Sequence, residues 1–340
     1  MALAMFTLLA GCGRPQSGDA DATDQPIVLR ISADSPSVGN VCKGTVDVWA
    51  AKVEAESKGR LKFQIMCDGV LSKVGDTINR VNAGVADLGW DLPGFYGARF
   101  ASLGISGVPG LYDDPEVAAG AFWNLYAAGK VGKELQGIKV IWFQFVNNTA
   151  FYLRRPPPSA TDFTGMKIAM GNAMRASTVK AAGGVPVAIS PPEYYQAIAK
   201  GTVDGVQSTI GAVSDQKIDE VTRYYLYGPF GGGKTIFVMN QSKYDSLPDD
   251  LKQVIDNNAG YNESRWSSAF LRDYEERYLR EKMLTVKGNV RVDLTPQEVA
   301  RWQPAFAQVA AEWARSVPGG EQMLADLRSE IAAEQARHAP

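Results

Sequence analysis

Few residues of this chain have types and spacing that could make or break bonds. Gly228-Pro229-Phe230-Gly231-Gly232-Gly233-Lys234-Thr235 has the G-x-x-x-x-G-K-[ST] spacing of a phosphate-binding loop, which would point to a nucleotide hydrolase. That chemistry needs a helix directly after the loop, so that its free N–H groups meet the phosphates. Thr235-Ile236-Phe237-Val238-Met239-Asn240 reads as a strand instead, and the glycines are expected to form a flexible connection. His338 is the only histidine and lies beside the C-terminus, which removes a Ser-His-Asp arrangement and a multi-histidine metal site. An enzyme would need a carboxylate pair with displaced pKa values, such as Asp76 and Asp91, and nothing in the sequence brings those two together. The inventory favours binding over catalysis, with no cofactor and no metal.

Such side chains need a scaffold, and 340 residues with 45% hydrophobic and 21% charged content suffice for two lobes of ordinary size. A net charge of -2 supplies no broad positive field, so nucleic acid is not an expected partner. Residues 1–9 are largely apolar and run into Leu9-Ala10-Gly11-Cys12, the cleavage pattern of a bacterial lipoprotein signal, with Cys12 as the lipidated residue. An ordinary cleaved signal is the alternative, and both export the chain. Residues 13–24 are small, polar or acidic, as in a flexible tether. In an exported protein Cys42 and Cys67 most simply form a disulfide, against the alternative of two buried thiols.

The most informative stretch is Asp162 to Ser208. Met166, Ile168 and Met170 form a short apolar strand, broken at Gly171-Asn172 where the backbone would approach a ligand. A helix is expected at about 173–182, a second strand at 185–189, and a capping box at Ser190-Pro191-Pro192-Glu193. The next helix carries Tyr194 and Tyr195 and ends at Gly201, after which Val203 to Ser208 crosses back. Upstream, strands at 27–32 and 61–66 flank a helix at 41–57, and Ile138 to Val146 reads as a buried central strand. Asn147-Asn148 begins a crossing, with Arg155-Pro156-Pro157-Pro158 extended on the way to a second lobe, and a return crossing falls near 230–235. A long helix over 246–284, with a bend at Gly260, would span both lobes. Thr295-Pro296-Gln297-Glu298 caps a further helix, and a final one runs from about 320 to 336.

This order and spacing, together with Lys62 to Leu71, Gly84 to Gly89 and Lys243 to Leu251, resembles the DctP family, the extracytoplasmic solute receptors of TRAP (tripartite ATP-independent periplasmic) transporters, over roughly residues 27–281. The resemblance implies an α/β fold of two lobes with mixed, mainly parallel sheets flanked by helices and a long lobe-spanning helix. Lobe I would comprise 25–147 and about 236–262, lobe II 148–235, the spanning helix 246–284, and the C-terminal elements 285–340. It implies a non-enzymatic receptor that binds a small organic molecule, by family default a carboxylate and possibly an aromatic one. The receptor would hand the molecule to a TRAP permease, work as a monomer or weak dimer, and sit in the periplasm on a lipid anchor.

The arginine that most members present after Lys-Ile to grip the ligand carboxylate is replaced by Ala169, and a second arginine found in some members near Asn148 is also absent. Gln207 and Ser208 stand where glutamate and asparagine are frequent. Asp34, Asp76, Trp90 and Asp91 could surround a polar or cationic ligand, with Trp90, Phe145 and Phe230 as flat walls and Trp142, Phe143 and Tyr194 as further candidates. Asn172 lies at the strand break, and Arg175 on the following helix is a candidate substitute for the missing clamp, ahead of Arg99 and Arg154. A neutral or cationic ligand, or a sensor presenting its closed form to a membrane receptor, remains the alternative.

Overall fold

The structure, a computed structural model, describes residues 25–338; Cys12 and the tether lie outside them. Five strands form the first sheet: β1 (Ile27–Ser32), β2 (Leu61–Met66), β3 (Leu88–Asp91), β4 (Ile138–Phe145) and, from later in the chain, β10 (Lys234–Asn240). Their order is β2-β1-β3-β10-β4, with β1 parallel to β2 and β3 and β10 antiparallel to both its neighbours. The second sheet contains β5 (Ala150–Leu153), β6 (Lys167–Met170), β7 (Val185–Ala188), β8 (Gly205–Ser208), β9 (Tyr224–Tyr227) and β11 (Val290–Asp293), in the order β11-β9-β5-β8-β6-β7. Both sheets are mixed, and helices cover them as the two-lobed α/β pattern requires.

On lobe I, α1 (Asp47–Glu56) places Trp49, Ala50 and Val53 against Leu29, Ile31, Trp142 and Phe237. The other face is covered by α2 (Thr77–Asn82) and α3 (Pro115–Ala127), whose Ile78, Val81, Phe122 and Leu125 pack on Val140, Phe143 and Val238. On lobe II, α4 (Ala173–Ala181), α5 (Tyr194–Ala199) and α6 (Ile210–Asp215) cover the second sheet through Val179, Ile198 and Val213. The capping boxes read at Ser190 and Thr295 both form, each with a glutamate side chain reaching back to the cap. The Cys42–Cys67 disulfide forms and ties the turn before α1 to the end of β2.

Three readings need correction. Ile138 to Val146 reads as a central strand in the sequence, but β4 lies at the edge of its sheet. It looks central because a helix replaces the missing neighbour. Ser264 and Ser268, one turn apart, accept hydrogen bonds from Phe143 N (3.1 Å) and Phe145 N (2.9 Å), and Gly260 N donates to Ile141 O at 2.7 Å. These bonds satisfy the exposed edge that an apolar strand would otherwise offer to another chain.

The helix expected over 246–284 is divided, after α7 (Gln241–Asp245), into α8 (Asp249–Asn257) and α9 (Tyr261–Tyr278), followed by a short π-helical turn. Gly260, with φ +101°, takes a conformation that only glycine adopts without strain. The proline run at 156–158 lies after β5 and therefore inside lobe II rather than on the crossing. The chain passes between sheets three times, from β4 to β5, from β9 to β10 and, through α8 and α9, from β10 to β11, and α9 packs on both β4 and α6. The final helices, α10 (Pro296–Ser316) and α11 (Gly320–Arg337), pack on α4 and α3 respectively.

Candidate functional site

The Asn172 side chain caps α4, its Oδ1 accepting from Arg175 N at 3.0 Å. The capped first turn carries the Arg175 guanidinium to the meeting point of α4, β8 and the returning crossover. There Nη1 donates to Gln207 O at 3.3 Å and Nη2 to Gly232 O at 3.5 Å. Both bonds are long, and the groups that act on its charge are the hydroxyls of Tyr194 and Tyr112. Among the described residues Arg175 forms no ion pair. Burial holds its pKa below the usual arginine value.

Unpartnered acceptors and donors accompany it. Tyr194 is 1% exposed and its hydroxyl has no protein partner. Gln207, fully buried, donates through Nε2 to Thr149 Oγ1 at 3.0 Å while its Oε1 stays unpaired. Asn148 donates to Tyr112 O at 2.9 Å, again leaving Oδ1 unpaired. Native proteins rarely strand buried polar atoms, which makes these three candidate ligand contacts.

A second, acidic group occupies the lobe junction. Asp34 follows β1, its Oδ1 is buried without a partner, and burial pushes its pKa up to about 7, with the charges of Asp91 and Asp215 adding to the rise. Asp91 is held by hydrogen bonds from Ile78 N (2.9 Å), Leu92 N (2.7 Å) and the Tyr96 hydroxyl, yet burial still raises its pKa. Asp215, at the end of α6, accepts from Asn40 Nδ2 across the lobes at 3.2 Å, and burial pushes it up to about 6. Glu275 of α9 accepts from Gly211 N at 2.7 Å and Asn147 Nδ2 at 2.8 Å, and burial pushes it up to about 7. Four carboxylates thus gather with no basic side chain in ion-pair contact among the described residues.

Several expected site residues are placed elsewhere. Asp76 lies at the start of α2, where its oxygens are taken by Arg80 Nε (2.7 Å) and Asn79 Nδ2 (3.1 Å). Phe145 is fully buried against Phe122 and Tyr112, and Phe230 packs between Phe151, Trp302 and Phe306, so both rings belong to cores. Trp90 is 5% exposed among lobe I core residues, although its Nε1 is unpartnered. Ala169 is fully buried beside Tyr152, Tyr194 and Ile198, and Ser208 is buried at the end of β8. The phosphate-loop spacing leads directly into β10, and Lys234 Nζ sits 3.8 Å over the Phe122 ring and donates to Leu103 O. Gly231 is there for a close approach: its φ is +79°, and a Cβ would lie 2.0 Å from Gly107 O.

Tyr112, Asn147, Asp215 and Glu275 are not site candidates in the sequence reading, which names Asn147 only as the start of a crossing. For Glu275 a signal existed. It falls between Leu271 and Leu279, both buried and spaced four residues either side, so a carboxylate interrupts an apolar helical stripe.

Residues 33–316 match the DctP model, bacterial extracellular solute-binding protein family 7. The chain belongs to this family. A solute-binding protein of Verminephrobacter eiseniae (strain EF01-2) is 25% identical over 305 residues, covering 84% of each chain. Among solved structures, a marine metagenome TRAP solute-binding protein specific for aromatic acid ligands, from an unidentified microbe and bound to 3-hydroxybenzoate, superposes with a TM-score of 0.85. It has 25% identity and covers 91% of this chain and 99% of that one. A TRAP solute-binding protein of Rhodoferax ferrireducens T118 with copurified benzoate also gives 0.85 at 25% identity, covering 92% and 100%. This DctP-family chain is therefore an extracytoplasmic solute receptor with the two-lobed fold of TRAP binding proteins.

Proposed function

We propose that this receptor binds one small organic acid in the cleft between its lobes, with the ligand carboxylate on the Arg175 guanidinium. The observation that carries the reading is a half-buried guanidinium with no carboxylate partner among the described residues. A planar guanidinium forks onto a carboxylate, and charge-assisted bonds of that kind are the strong ones. Arg175 thereby takes over from α4 the task that Ala169 cannot perform from β6. The benzoate and hydroxybenzoate found in the two structural relatives make aromatic acids the first compounds to test.

Closure follows from the same residues. Each buried, unsatisfied polar atom costs on the order of 1–3 kcal/mol. The closed arrangement strands the Tyr194 hydroxyl, Gln207 Oε1, Asn148 Oδ1 and Asp34 Oδ1 unless a ligand meets them. A ligand that satisfies groups on both lobes therefore favours the closed state, and the lobes hinge about the segments that cross between the sheets. Asp34 supports a second reading, a ligand carrying a protonated nitrogen as well as a carboxylate, because its free oxygen and raised pKa suit a cationic partner.

We infer lobe I at 25–147 and about 236–262 and lobe II at 148–235; β10 begins two residues before the second lobe I stretch, and β11 adds a strand from the C-terminal elements to the lobe II sheet. The finer cellular reading is a monomeric or weakly dimeric lipoprotein, anchored through Cys12 on the periplasmic side, that delivers its ligand to a TRAP permease. Intact mass of the membrane fraction tests the anchor: a Cys12→Ala chain that is still membrane-bound would refute it. Titration calorimetry of the purified protein with benzoate, 3-hydroxybenzoate and 4-(aminomethyl)benzoate tests the ligand. Binding of none of the three acids refutes the carboxylate reading, and a strong preference for the aminomethyl compound selects the second one.

A further inference from the structure

Phe95 stands apart from the other aromatic residues of lobe I. It ends the single turn Pro93–Phe95 directly after β3, is partly exposed, and among the described residues belongs to no core cluster and no aromatic ring pair. Its neighbour Tyr96, by contrast, packs on the lobe I core and pairs with Phe100. Behind Phe95 lies Gly75, where an added Cβ would come within 3.0 Å of Phe95 Cβ and 3.2 Å of Phe95 O. In front of it, across the junction, lies Gly171 at the end of β6. A Cβ on Gly171 would sit 2.9 Å from Phe95 Cζ, 3.2 Å from Phe95 Cε1 and 3.2 Å from the unpartnered Tyr194 hydroxyl. The ring therefore spans from one lobe's backbone to the other's.

We propose that Phe95 is the closing residue of the cleft: its ring tip seats on the bare backbone of Gly171 only when the lobes come together, and the pair sets the space left at the Arg175 end. Gly171 immediately precedes Asn172, which caps the helix bearing Arg175, so the contact falls beside the anion grip. Gly171 has no positive φ, so its lack of a side chain is explained by the close approach rather than by backbone conformation. Met174, one residue before Arg175, makes a parallel contact: it packs on the lobe I core, and a Cβ on Gly107 would lie 3.0 Å from its Sδ. The assignment rests on the reading of the junction as a ligand cleft, and it adds a size rule. Acids that are flat and unbranched next to the carboxylate fit under the ring, whereas acids carrying bulk there hold Phe95 off Gly171.

The test is a double-mutant cycle on the full chain with Gly171→Ala, Phe95→Ala and the double variant, using 3-hydroxybenzoate as the titrated probe. Gly171→Ala is expected to weaken binding tenfold or more while the ligand-free protein melts as the wild type does. Removing the ring in the double variant should recover most of that loss. Independent effects that simply multiply, or a Gly171→Ala protein that binds as the wild type, overturn the proposal. A ligand-independent arm measures the interlobe distance by electron paramagnetic resonance between labels at exposed Ala55 and Gln196. Gly171→Ala should lower the closed fraction and the double variant should restore it, and equal fractions in all four proteins refute the role. If the wild type binds no acid, the carboxylate reading fails while this arm still decides the role of Phe95.

Discussion

Replacing Arg175 with alanine separates a ligand grip from a structural arginine, because the two roles predict opposite effects on the ligand-free protein. In the ligand-free fold the guanidinium makes only two long bonds, to Gln207 O and Gly232 O, and has no anionic partner among the described residues. Neutral hydrogen bonds are worth about 1 kcal/mol each at good geometry, and at these distances less. Holding an uncompensated charge half out of water offsets that gain. Arg175→Ala should therefore leave the melting temperature of the ligand-free protein unchanged or raise it.

With ligand the balance reverses. A hydrogen bond to a charged group contributes about 1.5–3 kcal/mol, so losing one weakens binding roughly 10- to 150-fold, and losing a two-pronged pair weakens it further. At a ligand concentration a hundred times the wild-type Kd, the wild type gains about 2.7 kcal/mol of stability. A variant binding a hundredfold more weakly gains only about 0.4. Thermal melting with and without 3-hydroxybenzoate reads both effects in one experiment. A variant that melts markedly lower without ligand yet keeps its ligand-induced shift would refute the assignment and make Arg175 a structural residue.

Restoring the arginine that the sequence lacks should fail: Ala169→Arg forces a charge among Tyr152, Tyr194 and Ile198, and a loss of more than about 2 kcal/mol is expected, with no gain in acid binding by calorimetry. Asp34, Asp215 and Glu275 all have raised pKa values, so between about pH 4 and 7 the folded state keeps protons that the unfolded chain has released. Stability of the ligand-free protein should therefore fall as pH rises through that window. Glu275→Gln, which keeps an acceptor for Gly211 N, should flatten the slope, and an unchanged melting profile between pH 4.5 and 7 would show that Glu275 does not titrate there. Breaking the Cys42–Cys67 bond as the double serine variant should cost roughly 3 kcal/mol, the entropy of closing the 25-residue separation. An unchanged denaturation midpoint would mean that the packing around α1 already holds that segment.

The elements were legible because their signals are local. Strand alternation, the capping boxes at Ser190 and Thr295, and the glycine break at Gly171 each act within a few residues, and the helices and strands from Lys167 to Ser208 fall where those signals put them. The family pattern supplied the two-lobed arrangement. What misled was burial without context. The apolar run at Ile138 to Phe145 has the composition of a central strand, and only the serines of α9, more than a hundred residues away in the chain, explain how an edge can be so apolar.

The site shows the same limit more sharply. The sequence by itself showed the lack of a usable histidine, and set against the family pattern it showed alanine at position 169 and offered Arg175 as the first candidate substitute ahead of Arg99 and Arg154, because each is a statement about one position. It did not place Phe145 and Phe230 in the cores, nor show that Asp34, Asp91, Asp215 and Glu275 gather at one junction. Those four acids come from the end of β1, the end of β3, α6 and α9, and no local preference links them. Their proximity is created only when two sheets and a spanning helix pack together, and desolvation, which gives them their raised pKa values, exists only in that packed state.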